Sequence, residues 1–184
     1  MNKNEAYYFS RMITDERKSN PFSLNNPSTL LVTHNISYGF WQYGESDIIA
    51  IDKQFHIYEG EIKVSMADFK KDFKKKPEIL EERKTKLEGK YYIFPEEMYL
   101  KHEQEIFNIL ANFVQEHTDF CCGIVSVGQK IDFKYGSAMR HCDPRKDYRI
   151  DLISLAKLIR LTCFRQTGII GEGNEIKDML PKQL

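Results

Sequence analysis

Short apolar runs, bounded by turn-forming or charged residues, recur along the chain and predict strands. They are rich in β-branched and aromatic side chains, the composition typical of strands. The runs are residues 29–36, 46–51, 56–64, 90–94, 123–127 and 131–135. The last two flank Gly128 closely enough to predict a hairpin. The pattern therefore predicts a sheet of several strands.

Helical signals fall between and beside these strands. The segments with helical patterns are residues 5–16, 65–76, 97–116 and 149–164. Ser65 followed by Asp68 matches the capping pattern of a helix start. Pro77 predicts the end of that helix, because the residue before a proline is pushed out of the helical region. The charged residues 77–89 predict a loop or a frayed helix.

The interleaved strands and helices predict an α/β or α+β protein with one central sheet flanked by helices. A chain of 184 residues and 21.7 kDa fits a single domain of ordinary size. We divide it into an N-terminal lead at residues 1–28, a main domain at residues 29–168 and a C-terminal tail at residues 169–184. The lead contains the first predicted helix, and Gly168 is the predicted stop for the last one.

Composition excludes several classes of protein. Hydrophobic residues make up 41% of the chain and charged residues 29%, which excludes fibrous and wholly disordered proteins. No apolar stretch approaches the ~20 residues that span a bilayer, and the polar start has no signal core. The four cysteines form no CxxC pair and are interpreted as buried reduced thiols rather than zinc ligands. We therefore expect a soluble, cytoplasmic protein with no membrane partner.

Three charged residues lie where the predicted strands should be apolar. They are Asp47 in the second strand, and Glu61 and Lys63 in the third. Asp, Glu and Lys are depleted in strands, and a local rule broken inside an apolar strand is a signal of function. Side chains alternate along a strand, so Glu61 and Lys63 share a face.

The register of the second and third strands decides whether Asp47 joins them. With the turn centred on Gln54, Ile49 pairs with Glu59 and Asp47 pairs with Glu61. Directly opposed residues share a face, with Cβ atoms about 5 Å apart. A shift of one residue would send Asp47 to the other face, so the prediction requires a three-residue turn or a bulge.

Such a cluster has a definite chemistry. Two neighbouring carboxylates repel each other, which favours a divalent cation between them, and hard oxygen ligands select Mg²⁺ or Mn²⁺. A metal-bound water can attack a phosphodiester. Lys63 could orient or help to deprotonate that water, or neutralise charge on phosphate oxygens. The helix that starts at Ser65 adds a positive dipole end. The alternative is an exposed hairpin with a cross-strand ion pair.

The residues around this cluster resemble a known family. Asp47, followed by Glu61-Ile62-Lys63, is similar to the signature of the PD-(D/E)XK nuclease superfamily. The longer string GESDIIAIDKQFHIYEGEIKVSMADFKKDFKK resembles the core of the MmcB-type DNA-repair proteins and their relatives in phages and mobile elements. KYYIFPEEM and CGIVSV resemble later elements of that family, so the likeness covers about residues 30–127.

The resemblance implies a restriction-endonuclease-like fold and Mg²⁺-dependent cleavage of DNA. Asp47 and Glu61 would be the metal ligands and Lys63 the catalytic lysine. Further site candidates are Glu45, Ser65 and Asp68, although helix capping is the favoured explanation for the last two. Many superfamily members add a glutamate from an earlier helix, for which Glu5 and Glu16 are the candidates. The alternative function is a non-catalytic DNA-binding accessory protein on the same fold.

A run of lysines follows the cluster on the predicted helix. The 27 basic and 27 acidic residues balance, so net charge names no partner. Local basic surface can still contact a DNA backbone. The DNA-backbone candidates are Lys70, Lys71, Lys74 and Lys75. A solvated helix face explains the same run equally well, so the pattern leaves both interpretations open.

Overall fold

The structure is a computed structural model that describes residues 3–36, 40–42, 44–74, 77–116, 121–134 and 149–166. The chain divides into two compact units, Met1–Ile150 and Asp151–Leu184. Within the described part of the second unit, the helix Leu152–Gln166 (α5) is the regular element. Among the described residues, no helix is long and apolar enough to cross a membrane.

The described part of the first unit contains a six-stranded mixed sheet with its strands in chain order. The strands are β1 Thr29–Ile36, β2 Ser46–Asp52, β3 Ile57–Ile62, β4 Gly89–Pro95, β5 Cys122–Val127 and β6 Ile131–Lys134. β3, β4 and β5 run parallel, and the other neighbours pair antiparallel. The predicted class, an α+β fold with one central mixed sheet flanked by helices, is confirmed.

Helices connect the parallel strands, because a parallel pair needs a crossover. The helices of this unit are α1 Lys3–Ile13, α2 Met66–Asp72, α3 Pro77–Lys86 and α4 Glu96–Glu116. α2 and α3 lie between β3 and β4 in the chain, and α4 lies between β4 and β5. These crossovers carry the chain from one parallel strand to the next.

The two faces of the sheet pack into separate apolar cores. The first core contains Phe69 of α2, Leu110 of α4 and Tyr92 of β4. The second core contains Met12, in α1, and Ile62, in β3. Because side chains alternate along β3, its odd-numbered residues face the first core, on the side of α2 and α4.

The β2–β3 connection has the three-residue turn that the prediction required. The Asp52 N–H donates to the His56 carbonyl at 3.1 Å, and the Phe55 N–H donates to the Asp52 carbonyl at 3.0 Å. Phe55 has φ 69°, the left-handed residue that completes such a turn. The resulting register pairs Ile49 with Glu59, as predicted.

Other predictions needed correction. The segment predicted as a loop or a frayed helix forms the helix α3 over residues 77–86, and Pro77 begins this helix instead of ending α2, which ends at Asp72. A proline is tolerated there because its missing N–H would have no partner in the first helical turn. Cys122 is a free, buried thiol, as predicted, but Cys121 is disulfide-bonded, so the prediction of reduced cysteines is wrong for it. Tyr135 and Gly168 lie outside the described residues.

The start of α2 allows a direct test of the capping interpretation. The exposed Ser65 is the N-cap, and its hydroxyl accepts the Asp68 N–H at 3.2 Å. Ser65→Ala should lower the free energy of unfolding by about 1 kcal/mol, because an N-terminal N–H loses its acceptor. Ser65→Asn should restore most of that stability. Urea denaturation measures both effects, and an asparagine variant no more stable than the alanine variant would contradict this assignment.

Candidate functional site

The structure brings Asp47, Glu61 and Lys63 to one end of the β2–β3 hairpin. The register of this hairpin joins Ile48 to Gly60, so the next pair along places Asp47 opposite Glu61 on one face. The Asp47 Oδ2 accepts the backbone N–H of Ile62 at 2.8 Å. The Lys63 Nζ lies 3.2 Å from the Glu61 Oε2. Glu61 and Lys63 are therefore in direct contact, and Asp47 is held beside them through the backbone of Ile62.

Lys63 is surrounded by carboxylates. Its Nζ lies 2.9 Å from the Asp72 Oδ1 of α2, in addition to its contact with Glu61. Asp68 is farther away, with its Oδ2 3.8 Å from this Nζ. Burial alone would lower the pKa of the Lys63 ammonium, but attraction from Glu61 and Asp72 outweighs it and raises the pKa. Lys63 is therefore charged at neutral pH and suits an electrostatic role better than that of a proton acceptor.

A second buried lysine, Lys90 of β4, completes the cluster on its inner side. Its Nζ lies 2.7 Å from the Glu59 Oε2 and 3.3 Å from the Glu61 Oε1. Both oxygens of Glu61 thus contact an ammonium group. Burial would lower the pKa of Lys90, but Glu59 and Glu61 raise it. Lys90 was not among the predicted site residues, although a charged residue in the apolar strand KYYIF is a signal of the same kind as Glu61.

Glu59 lies at the most buried end of the cluster. Its Oε1 accepts hydrogen bonds from the Arg83 Nε, at 2.9 Å, and from the Ser46 hydroxyl. Burial would raise the pKa of Glu59, but Lys90 and Arg83 lower it below the ordinary value. The Arg83 guanidinium also stacks on Trp41, 3.6 Å from the ring centre, and the Trp41 N–H donates to Ser46 at 2.7 Å.

These contacts join into a continuous chain of alternating charges, which we call the charge network. Its members are Asp72, Lys63, Glu61, Lys90, Glu59, Arg83, Glu82 and Lys86, in order of contact. Only the last of these is substantially exposed, with 45% of the Lys86 side chain accessible. Each buried charge thus has an opposite charge on at least one side, which offsets part of its desolvation.

The other predicted acids are less closely involved. Glu45 is exposed, and its backbone carbonyl accepts the Arg83 Nη2 at 3.3 Å. Asp68 is 46% exposed and marks the solvent side of the cluster. Glu16 lines a cavity with Arg11 and Lys130, away from Asp47 and Glu61. The Glu5 side chain lies outside the described part of the structure.

The predicted helix-dipole contribution is not supported by the structure. α2 spans only 7 residues, and Ser65 already occupies one of its first N–H groups. An acidic residue, Asp68, lies in its first turn. This helix start is therefore a capped end, and it does not offer a ready anion site.

The predicted DNA-backbone lysines, in α2 and just after its end, differ in their surroundings. Lys71 and Lys74 are exposed. Lys70 is also exposed but forms an ion pair with Glu105 of α4, with 2.5 Å between the Nζ and Oε1. Lys75 lies outside the described residues. Lys71 and Lys74 are thus the described DNA-backbone candidates whose charge is most accessible to a phosphate.

The described carboxylates provide only the smallest number of protein ligands with which a hard divalent ion is commonly bound. Among the described side chains, no group of three His, Cys, Asp or Glu is arranged to hold a metal ion. Asp47 and Glu61 offer two carboxylates on one face. Mg²⁺ is commonly bound through one or two carboxylates while it keeps several waters, so this pair meets its minimal requirement.

Comparisons with known proteins leave the family open. No family model and no curated protein matches the chain. A solved structure that is similar to it is a protein of unknown function from Silicibacter pomeroyi. That protein shares 14% sequence identity, with 79% of this chain and 84% of the other covered and a TM-score of 0.46. The resemblance to MmcB-type nucleases therefore stays a prediction.

The charge network predicts that the loss of a buried cation lowers stability far more than the loss of an exposed one. Arg83→Met should lower the free energy of unfolding by about 3–5 kcal/mol, because it removes the cation from one oxygen of the fully buried Glu59. Lys86→Met removes an exposed partner of Glu82 and should lower it by no more than about 0.5 kcal/mol. Chemical denaturation of both variants measures the difference. Equal losses would show that the inner pair is no more tightly held than the exposed one.

Proposed function

We propose that this protein is a Mg²⁺-dependent nuclease that hydrolyses DNA phosphodiesters in the cytoplasm, in DNA repair or in phage or mobile-element biology. The observation that supports it is the 3.2 Å contact between Lys63 and Glu61, with Asp47 held beside them by the backbone N–H of Ile62. Two acids and a lysine at such a point are the groups that phosphodiester hydrolysis requires.

Each residue has a distinct proposed role. Asp47 and Glu61 would hold Mg²⁺ or Mn²⁺, which when bound activates a water and polarises a phosphate. Lys63 presents a permanent positive charge to the phosphate oxygens, where negative charge develops during cleavage. Asp72 fixes the position of the Lys63 ammonium at 2.9 Å. Lys71 and Lys74, exposed beside the site, contact the DNA backbone.

A second candidate is a non-catalytic DNA-binding accessory protein. It is favoured by the contacts of Glu61, because Lys63 and Lys90 already compensate both of its oxygens. A carboxylate held in this way is stable without a metal ion. The two candidates therefore differ in whether divalent cations change what the protein does to DNA.

Incubation with supercoiled plasmid and linear DNA in Mg²⁺ or Mn²⁺ tests the proposal. The wild-type protein should cleave, and EDTA should stop it. Asp47→Asn and Lys63→Met should each reduce the cleavage rate at least about 100-fold, because the first weakens a metal ligand and the second removes a charge that stabilises the transition state. The amide oxygen of the introduced asparagine can still accept the Ile62 N–H, so the hairpin should remain intact. Thermal unfolding checks that both variants are folded.

The control is Lys134→Ala, which removes an exposed lysine from an ion pair with Asp132 on β6. Its cleavage rate should equal that of the wild type. Equal cleavage by the wild type and a Glu61→Ala/Lys63→Ala double variant would identify a contaminating nuclease and reject the proposal. Retention of DNA without cleavage, with or without metal, would favour the accessory protein.

A further inference from the structure

The inner half of the site holds two carboxylates and an ammonium group from a neighbouring strand. Glu59 and Glu61 are two positions apart on β3, so they face the same way about 7 Å apart along the strand. Glu59 is fully buried and Glu61 is 5% exposed. Two such carboxylates repel each other and need a cation between them.

Lys90 supplies that cation from a fixed position. The parallel register pairs Glu59 with Lys90, so the backbone of β4 delivers the lysine beside the two acids. Its Nζ contacts one oxygen of each, at 2.7 Å from Glu59 and 3.3 Å from Glu61. Lys90 is itself only 5% exposed. A single positive centre shared by two carboxylates is the arrangement that a bridging metal ion would otherwise provide.

We infer that the Lys90 ammonium occupies the inner end of the site in place of a divalent ion, so that Glu59 and Glu61 bridge a lysine and not a metal. Exposure supports this division of the site, because it rises from the buried Glu59 to the partly exposed Asp47 and Asp68. Any divalent ion is then confined to the outer end. The existence of that outer ion, at Asp47 and Glu61, rests on the proposed function, whereas the role of Lys90 does not.

The inference has a measurable consequence for ion stoichiometry. Without the Lys90 ammonium, Glu59 keeps Arg83 and Glu61 keeps Lys63, but neither of these two cations contacts both acids. A divalent ion can then take the vacated position, and oxygen ligands of this kind bind Mn²⁺. Removal of one lysine should therefore create an ion site where the wild-type protein has none.

Mn²⁺ titration, followed by electron paramagnetic resonance and calorimetry, tests the inference without a measurement of activity. Lys90→Ala should bind one Mn²⁺ per chain more than the wild type does. Lys90→Arg, which keeps a cation, should bind the same number as the wild type. Lys134→Ala is the matched control, because it removes an exposed lysine outside the charge network, and it should also leave the number unchanged.

The outcomes separate this inference from the proposed function. One Mn²⁺ on the wild type and two on Lys90→Ala support both. None on the wild type and one on Lys90→Ala support the role of Lys90 and count against the outer ion. Equal numbers on the wild type and a folded Lys90→Ala overturn the inference. If Lys90→Ala does not fold, Lys90→Gln takes its place in the same comparison with the wild type. Two Mn²⁺ ions on the wild type would also overturn the inference.

Discussion

The burial of three neighbouring charges on one face of the sheet is the constraint that fixes the crossover from β3 to β4. The side chains of Glu59 and Glu61, in β3, and of Lys63, just after its end, point into a layer between the sheet and its helices, where little water can reach them. The next three elements of the chain each bring an opposite charge to this layer. Asp72 of α2 reaches Lys63, Arg83 of α3 reaches Glu59, and Lys90 of β4 reaches both glutamates. The crossover from β3 to β4 is therefore fixed by charge as well as by apolar packing.

Such a network is a weak source of stability in itself. Buried ion pairs lose in desolvation much of what they gain in attraction, and apolar side chains of similar size often fill the same space as well. The neighbouring positions on this face, such as Ile49 and Tyr92, are filled in that way. Since apolar residues would suffice for folding, the retention of so many charges at one end of the sheet is better explained by a function at that end.

The parts of this arrangement that sequence could predict are those set by local rules. The strands, the register of the β2–β3 hairpin and the Ser65 cap each depend on residues a few positions apart, and the structure has all of them. Lys90 and Arg83 were missed because they meet Glu59 across 31 and 24 positions of chain. Arg83 was further hidden because α3 begins with a proline and lacks an apolar stripe, so its segment resembled a loop.

The charge balance at the outer end bears on the choice between the two candidate functions. Around Lys63 lie the carboxylates of Glu61, Asp72 and Asp68, and Asp47 lies opposite Glu61 on the same face. Lys63 and Lys90 together supply two ammonium groups against these four carboxylates, so within this group of side chains the acids are in excess and repel a DNA phosphate. A divalent cation at Asp47 and Glu61 would cancel that excess of negative charge and remove the repulsion. In the proposed nuclease these acids would hold the metal, whereas in the accessory protein they would serve only as partners of Lys63 and Lys90.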